Sequence, residues 1–415
     1  MEGGSGSERR RLLVLGAGAG QLGLLEAARS LGHFVVAVDR NPAAPGFVHA
    51  DRRAIVSVED EHAIDRLAAA EQVDGVIAPG IDFPVAIAAR VAVRHNLPHP
   101  LSPDAAQAAV SKLKQRERLT DAGVPHAAFR ICASVAEARE AADELGYPCV
   151  IKPPDRQGQR GLSVVRGRDD LTEAFDAASS AARGPTVLVE KLIEGRELTV
   201  NAFSVGGAFH ALTVTDRLVA DPPAFGVALA HVWPSELPSD VVEEAVAMAR
   251  AAADAIGVED GPTYTQVLVG ESSAFVGELA ARVGGGHDAE LCEAALGVDL
   301  NRLAIGSALG EEVPAGALES EAAAGGACVR FLVAPEGVVD VVEGVERAED
   351  GDGVVWVRLY RQPGDDVRPL RHGADRAGAV LAVGESRKQA LARSKRAARR
   401  VRFRVVETRA PVEIS

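Results

Sequence analysis

A chain of 415 residues is long enough for two or three domains, each with its own core. Hydrophobic residues at 47% beside 25% charged residues give globular rather than disordered composition, and a net charge of −14 disfavours a polyanion or an anionic membrane as partner. Aromatics at 4% argue against a nucleic-acid surface built from stacked bases. Cys132, Cys149, Cys292 and Cys328 are scattered, with no C-x-x-C and no histidine at metal spacing, so neither a disulfide framework nor a zinc site is expected. The opening MEGGSGSERRR and the short glycine-rich run after it read as neither a secretory signal nor a membrane span. A soluble, cytoplasmic protein is the expectation.

Leu12 to Leu15 reads as a buried strand entering GAGAGQLG, where Gly18, Gly20 and Gly23 fit G-x-G-x-x-G. An amphipathic helix, LGLLEAARSLG, and a second strand, FVVAVD, follow, ending in Asp39. On paper this is a dinucleotide fingerprint, although glycine-rich strand-to-helix turns recur wherever backbone approaches a helix start or an anion. AIVSV with HAIDRLAAAE, then VDGVIAP with FPVAIAARVAVRHN, continue the alternation, predicting a three- or four-stranded parallel sheet. Asp82, just past VIAPG, is a ligand contact or a helix cap. LPHPLSP looks like a linker, and the polar helix after it carries Lys112 and Lys114.

YPCVIKPPDRQGQRGLSVV places a buried strand ending in Lys152 before a glycine loop and another strand. Such a loop, with a lysine at its base, can fold over a triphosphate, though the G-K-[ST] of a Walker loop is absent. TVLVEKLIEGRELTVNAFSV gives a strand, a turn and a strand with Glu190 and Glu197, which are surface acids or nucleotide contacts, since a carboxylate can hold two ribose hydroxyls. PTYTQVLVGESSAFVGELAARVGGGH reads as a hairpin collapsing into glycine. Cross-strand neighbours lie roughly 5 Å apart, so Gln266 and Glu278 can stand side by side as oxygen ligands for a phosphate-bound cation. Arg282 can then neutralise charge on a transferring phosphoryl group.

In this order the segments resemble the ATP-grasp superfamily of carboxylate–amine ligases over residues 12 to 310. The motifs carrying the resemblance are VIKP with its glycine loop, VEKLIEGRELTV, the Gln…Glu-x-x-x-Arg hairpin, and SKLKQRERLTDAGVP, which is similar to the family's entry to its ATP domain. The resemblance implies an α/β fold, α+β in the ATP domain, with a Rossmann-like parallel domain over 10–105. It further implies an ATP-grasp domain over 106–320, with a lid at about 122–190, and a strand-plus-helix domain over 321–415. The implied cofactors are ATP and Mg²⁺ or Mn²⁺. By the same resemblance Lys112 and Lys152 contact the phosphates, and the loop containing Gln157, Gly158, Gly161 and Ser163 acts as the lid. Glu190 and the backbone of Lys191, Leu192 and Ile193 bind adenine, Glu197 binds ribose, Gln266 and Glu278 bind metal, and Arg282 and Lys152 serve catalysis.

Two departures stand out. Gln266 replaces the usual Glu, similar to the carbamoyl-phosphate synthetase large subunit, and Ala280 replaces the Asn of E-x-N-x-R, leaving one or two metal sites open. E-x-A-x-R also resembles the carboxylating purine-pathway members, while the final part resembles the C-terminal domain of amino-acid ligases. The basic helix from Ser386 to Arg404 has no interleaved aromatics and reads as solvated. The implied reaction joins a carboxylate to an amine through an acyl phosphate, with a purine-type carboxylase or formyl ligase and a nicotinamide oxidoreductase as alternatives. Asp82, Asp216, Arg217, His231 and His287 are the polar candidates for the substrates, Arg217 as a fork for a carboxylate or as a surface residue, His287 as a ligand or a structural group. Small-molecule carboxylate and amine substrates are the implied partners, with no nucleic acid or membrane. A homodimer is the default assembly.

Overall fold

Short apolar runs separated by helices pair in parallel where the crossovers are long. In the computed structural model, which describes residues 9–156, 159–221, 224, 226–270, 273–319 and 322–406, this produces a first sheet in the order Arg52–Ala54, Phe34–Val38, Arg11–Leu15, Gly75–Ile77. All its pairs are parallel. The third strand falls short of the AIVSV run because its neighbour ends at Val38, opposite Ala54, and leaves Ile55 onward nothing to pair with. Helix Glu61–Glu71 starts where the Asp60 carboxylate accepts the Ala63 amide and stops at Gln72 in left-handed geometry.

The next sheet is antiparallel, in the order Phe129–Cys132, Val187–Lys191, Cys149–Lys152, Ser163–Val165. Helices Val135–Leu145 and Leu171–Ala181 cover it through Ala138, Ala142, Leu171 and Phe175, giving this small unit its own core. The largest sheet has eight antiparallel strands: Ala274–Ala280, Gly261–Val269, Arg196–Val205, Ala208–Val219, Ala228–Trp233, Gly326–Leu332, Gly378–Gly384 and Val354–Leu359. Strands from the C-terminal part therefore extend the central sheet, and Gly337–Glu343 with Asp366–Val367 and Arg402–Val406 makes a separate small one. A short helix, Val345–Glu349, accompanies the long Arg387–Arg400. No helix among the described residues is long and apolar enough to cross a membrane.

Val187–Lys191 and Arg196–Val205 read as one strand–turn–strand unit, yet they belong to different sheets. The chain crosses between the sheets at Gly195, whose φ is +151°. A Cβ there would stand 1.9 Å from the Val269 carbonyl oxygen, so the approach needs glycine. Gly195→Ala is expected to lower stability by about 1–3 kcal/mol, read as a lower thermal midpoint, and an unchanged midpoint would contradict this packing.

Candidate active site

Period-two alternation puts one row of side chains on a common face of the large sheet. Gln266 pairs with Glu278 on one side and Thr199 on the other, and Thr199 pairs with Thr215. One step along, Leu268 pairs with Glu197 and Arg217 with His231. Glu278, Gln266, Glu197, Arg217 and His231, drawn from five strands, thus share one floor.

The small antiparallel sheet and the helix Lys112–Asp121 supply the opposite wall. Lys112 donates from Nζ to Glu278 Oε1 at 2.7 Å and to the Arg156 carbonyl at 2.6 Å. Burial alone would push Glu278 up, but the charges of Lys112, Lys152 and Arg116 outweigh it and hold the carboxyl below its usual range. Lys152 Nζ lies 2.6 Å from Glu190 Oε2, and Arg116 Nε donates to Glu190 Oε1 at 2.8 Å. Burial opposes ionisation of Glu190 as well, yet Arg116 and Lys152 hold it down at about 2. Lys152 itself is pulled down by burial against the attraction of Glu190. Glu190 therefore spends both oxygens orienting cations, and its neighbours Lys191, Leu192 and Ile193 form the segment leading to the sheet crossing.

Glu197 accepts from Arg217 Nη1 at 2.8 Å, and Arg217 Nη2 donates to the Gly226 carbonyl at 3.1 Å. Arg282, just beyond the end of Ala274–Ala280, donates from Nε to Asp82 Oδ1 at 2.8 Å, with Nη2 at 2.5 Å, and from Nη1 to the Val283 carbonyl. Asp82 opens the helix Phe83–Arg94 without a side-chain cap bond, so the acid from the first sheet faces the arginine from the largest. Ala280 stands opposite Tyr264, over whose ring the Arg282 guanidinium lies at 5.5 Å, and Gln266 Nε2 donates to the Tyr264 hydroxyl at 3.4 Å.

His231 holds Asp288 through Nδ1 at 2.8 Å, and the Gly286 amide donates to the other Asp288 oxygen. His287, in left-handed geometry, is buried between Glu290, at 3.0 Å from Nδ1, and the Tyr360 hydroxyl on Nε2. Asp216 is not gathered with these groups. Strand alternation turns it to the other face of the sheet, where Ser235, the Glu236 amide and Arg387 take its oxygens. Gly161, at φ +73°, and Ser163 flank the loop above Lys152, while Gln157 and Gly158 lie outside the described residues. Sequence reasoning missed Arg116, one helical turn after Lys112, where an i, i+4 spacing was the available signal. It also missed Asp288 and Tyr360, whose partners His231 and His287 are remote in sequence.

The glycine fingerprint serves packing. A Cβ on Gly20 would lie 3.0 Å from the Gly285 carbonyl oxygen, and one on Gly23 would strike Glu290. Asp39 accepts the Ala17 amide at 3.1 Å and the Asn41 amide at 2.9 Å, closing the loop on itself rather than awaiting a ribose. No cluster of three His, Cys, Asp or Glu side chains suited to a metal occurs among the described residues. One carboxylate beside one amide fits a cation that arrives with phosphate oxygens, the habit of Mg²⁺.

Residues 111–315 match the model of the ATP-binding domain of the carbamoyl-phosphate synthase large chain, and residues 330–406 match that of the second C-terminal domain of L-amino acid ligase. The chain is 30% identical over 401 residues to the formate-dependent phosphoribosylglycinamide formyltransferase of Parasynechococcus marenigrum, covering 94% of this chain and 97% of that one. Its fold is similar to the L-amino acid ligase of Bacillus licheniformis, with TM-score 0.82, 20% identity, and 97% and 100% coverage. It is also similar to the biotin carboxylase domain of Hydrogenobacter thermophilus 2-oxoglutarate carboxylase, solved with MgADP and bicarbonate, with TM-score 0.79, 20% identity, and 95% and 90% coverage. The chain belongs to the ATP-grasp superfamily and is an ATP-dependent ligase forming carbon–nitrogen bonds.

Proposed function

We propose that the enzyme joins a small carboxylate to an amine, forming an amide or peptide bond through an acyl phosphate and releasing ADP and phosphate. The observation carrying this is Glu278, paired across the hairpin with Gln266 and accepting from Lys112, with Arg282 just past the end of the same strand. In this reading Lys112 and Lys152 hold ATP phosphates, Glu197 meets the ribose, and Lys191, Leu192 and Ile193 border the adenine. Ser163, Gly161, Gly158 and Gln157 belong to the lid. Mg²⁺ held by Glu278 and Gln266 would supply charge neutralisation between nucleotide and carboxylate. Glu278 must exchange Lys112 for that cation, and Arg282 must exchange Asp82 for the phosphoryl group. These two ion pairs are thus the ones that turnover replaces. The carboxylate oxygen attacks the γ-phosphorus, ADP leaves, and the amine then displaces phosphate from the acyl carbon. A closed lid keeps water from the acyl phosphate.

We divide the chain into functional units at 10–105, 106–320 and 321–415, take it to act in the cytoplasm as a homodimer, and assign both substrates to small molecules. The match of residues 330–406 to an L-amino acid ligase domain supports amino-acid substrates. A second reading rests on the full-length likeness to formate-dependent formyltransferases, with formate as the carboxylate and a ribosyl-phosphate amine as the acceptor. The test is release of ADP and phosphate from MgATP across amino-acid pairs, with formate and bicarbonate as separate additions. Release requiring both an amino acid and an amine supports the first reading. Release requiring formate supports the second, and MgATP binding without release in any mixture sinks both substrate assignments.

A further inference from the structure

Arg183 stands in the turn between helix Leu171–Ala181 and strand Val187–Lys191, on the unit built around the small antiparallel sheet. Asp155, in the loop after Lys152, fixes it from that unit's own side. Both Asp155 carboxylate oxygens accept the Arg183 amide, at 3.2 and 3.0 Å, and the Asp155 carbonyl accepts from Nη1 at 2.5 Å. The same loop meets Lys112, whose amide donates to the Pro154 carbonyl at 3.0 Å and whose Nζ donates to that of Arg156. The rest of the guanidinium crosses to the first domain. Its Nη2 pairs with Glu59 Oε1 at 2.5 Å, and its central carbon lies 3.9 Å from the centroid of the Phe83 ring. Among the described residues this is the one ion pair between the parallel domain and the small-sheet unit.

Phe83 opens the helix Phe83–Arg94 and directly follows Asp82, the acid that holds Arg282. A guanidinium seated on the Phe83 ring therefore braces the chain one residue from the partner of Arg282. Stacking on a ring face while pairing with a carboxylate suits the planar fork of arginine. Glu59 keeps 47% of its side-chain surface exposed and Arg183 24%, against 5% and 2% for Glu190 and Arg116. Exposed pairs are weak and trade readily with water, so this contact can open to admit nucleotide and form again. On the far side of the site a Cβ on Gly226 would lie 3.6 Å from Gln159 Cγ, so the small-sheet unit approaches the floor there too.

We propose that Arg183 is a positioning residue for the ligation step. It clasps the small-sheet unit to the first domain while the acyl phosphate exists, bracing Asp82 and Arg282 through Phe83 and keeping bulk water from the intermediate. This rests on the ligase reading above and names the contact that closes its lid. Water that entered would take the place of the amine. Its oxygen would bond to the acyl carbon and the bond from that carbon to the phosphate oxygen would break. Carboxylate, phosphate and a proton would leave, and ATP would be spent without an amide.

The test places spin labels on Glu140→Cys, in the small-sheet unit, and on Arg66→Cys, in the first domain; both positions are exposed, and the four native cysteines are buried. With Mg²⁺ and the non-hydrolysable analogue AMP-PNP, the labelled wild type should show one main distance. Arg183→Gln should raise the longer-distance population roughly fivefold, the scale of losing one exposed ion pair and one cation–π contact. In turnover with whichever amino-acid pair wild type joins, the excess of ADP over amide should grow by a similar factor. Glu59→Gln should act the same way in smaller measure, and Arg183→Lys should restore part of the coupling. The double variant Arg183→Gln, Glu59→Gln should lose no more than Arg183→Gln alone. Unchanged distances in Arg183→Gln overturn the clasp. A longer distance with ADP and amide still matched, or a lower thermal midpoint as the sole effect, leaves Arg183 a structural part only and overturns its place in the reaction. Wild type that makes no amide from any pair sinks the ligase reading, and the distances then decide the clasp by themselves.

Discussion

Arg282→Ala is expected to slow ADP release by roughly 10²–10³-fold, the usual effect of removing one preorganised group that stabilises developing charge. The loss should fall equally on kcat and kcat/KM, because the arginine is committed to Asp82 and would turn to the phosphoryl group only as charge builds there. Stability enters too. Arg282 gives Asp82 two nitrogens at 2.8 and 2.5 Å, both side chains are largely buried, and the truncated enzyme keeps an acid without that partner. The thermal midpoint should therefore fall. Adding Asp82→Asn removes the negative charge that faced Arg282, so the double variant should regain stability relative to Arg282→Ala and remain slow. Recovery of rate together with stability in the double variant would mean that the arginine only holds the fold, and the phosphoryl role would be lost.

The elements that position Arg282 were legible because they are local. RLLVL, FVVAV and the glycine turns announce a parallel sheet, and YTQVLV with FVGELA announces a hairpin whose register sets Gln266 against Glu278. What periodicity could not carry is which sheet a strand joins. Val187–Lys191 and Arg196–Val205 are close in sequence but part at Gly195, and Gly326–Leu332 pairs with Ala228–Trp233 across a long stretch of chain. The electrostatics was hidden for the same reason. Glu190 reads as a surface acid until Arg116, 74 residues earlier, is placed against it. Asp216 and Arg217 look like equivalent candidates in sequence, yet alternation sends one to Arg387 and the other to Glu197.

Glu190→Ala should cost about 3–5 kcal/mol of stability, the expected price of stranding buried charge. The acid is 4% exposed and Arg116 1%, and Lys152 reaches the second oxygen, so the deletion leaves two largely buried cations without their shared acid. Replacing charges in pairs separates this from simple loss of packing. Adding Lys152→Met to Glu190→Met leaves one cation instead of two, and should recover stability while abolishing ATP-dependent turnover. The same triad predicts acid behaviour. Glu190 is held near 2 instead of 4.5, so its contribution is complete above the unfolded carboxyl pKa and is lost as pH falls from about 4.5 to about 2. At 1.36 kcal/mol per unit that is about 3 kcal/mol, spread over a window in which Glu61 and Glu290, also held near 2, contribute in the same sense. Chemical denaturation at a series of pH values should thus show Glu190→Gln less stable than wild type at neutral pH. The gap should close by about 3 kcal/mol on acidification toward pH 2. A gap independent of pH would mean that the carboxylate is not held ionised by Arg116 and Lys152, and that the wall of the nucleotide site is built on packing alone.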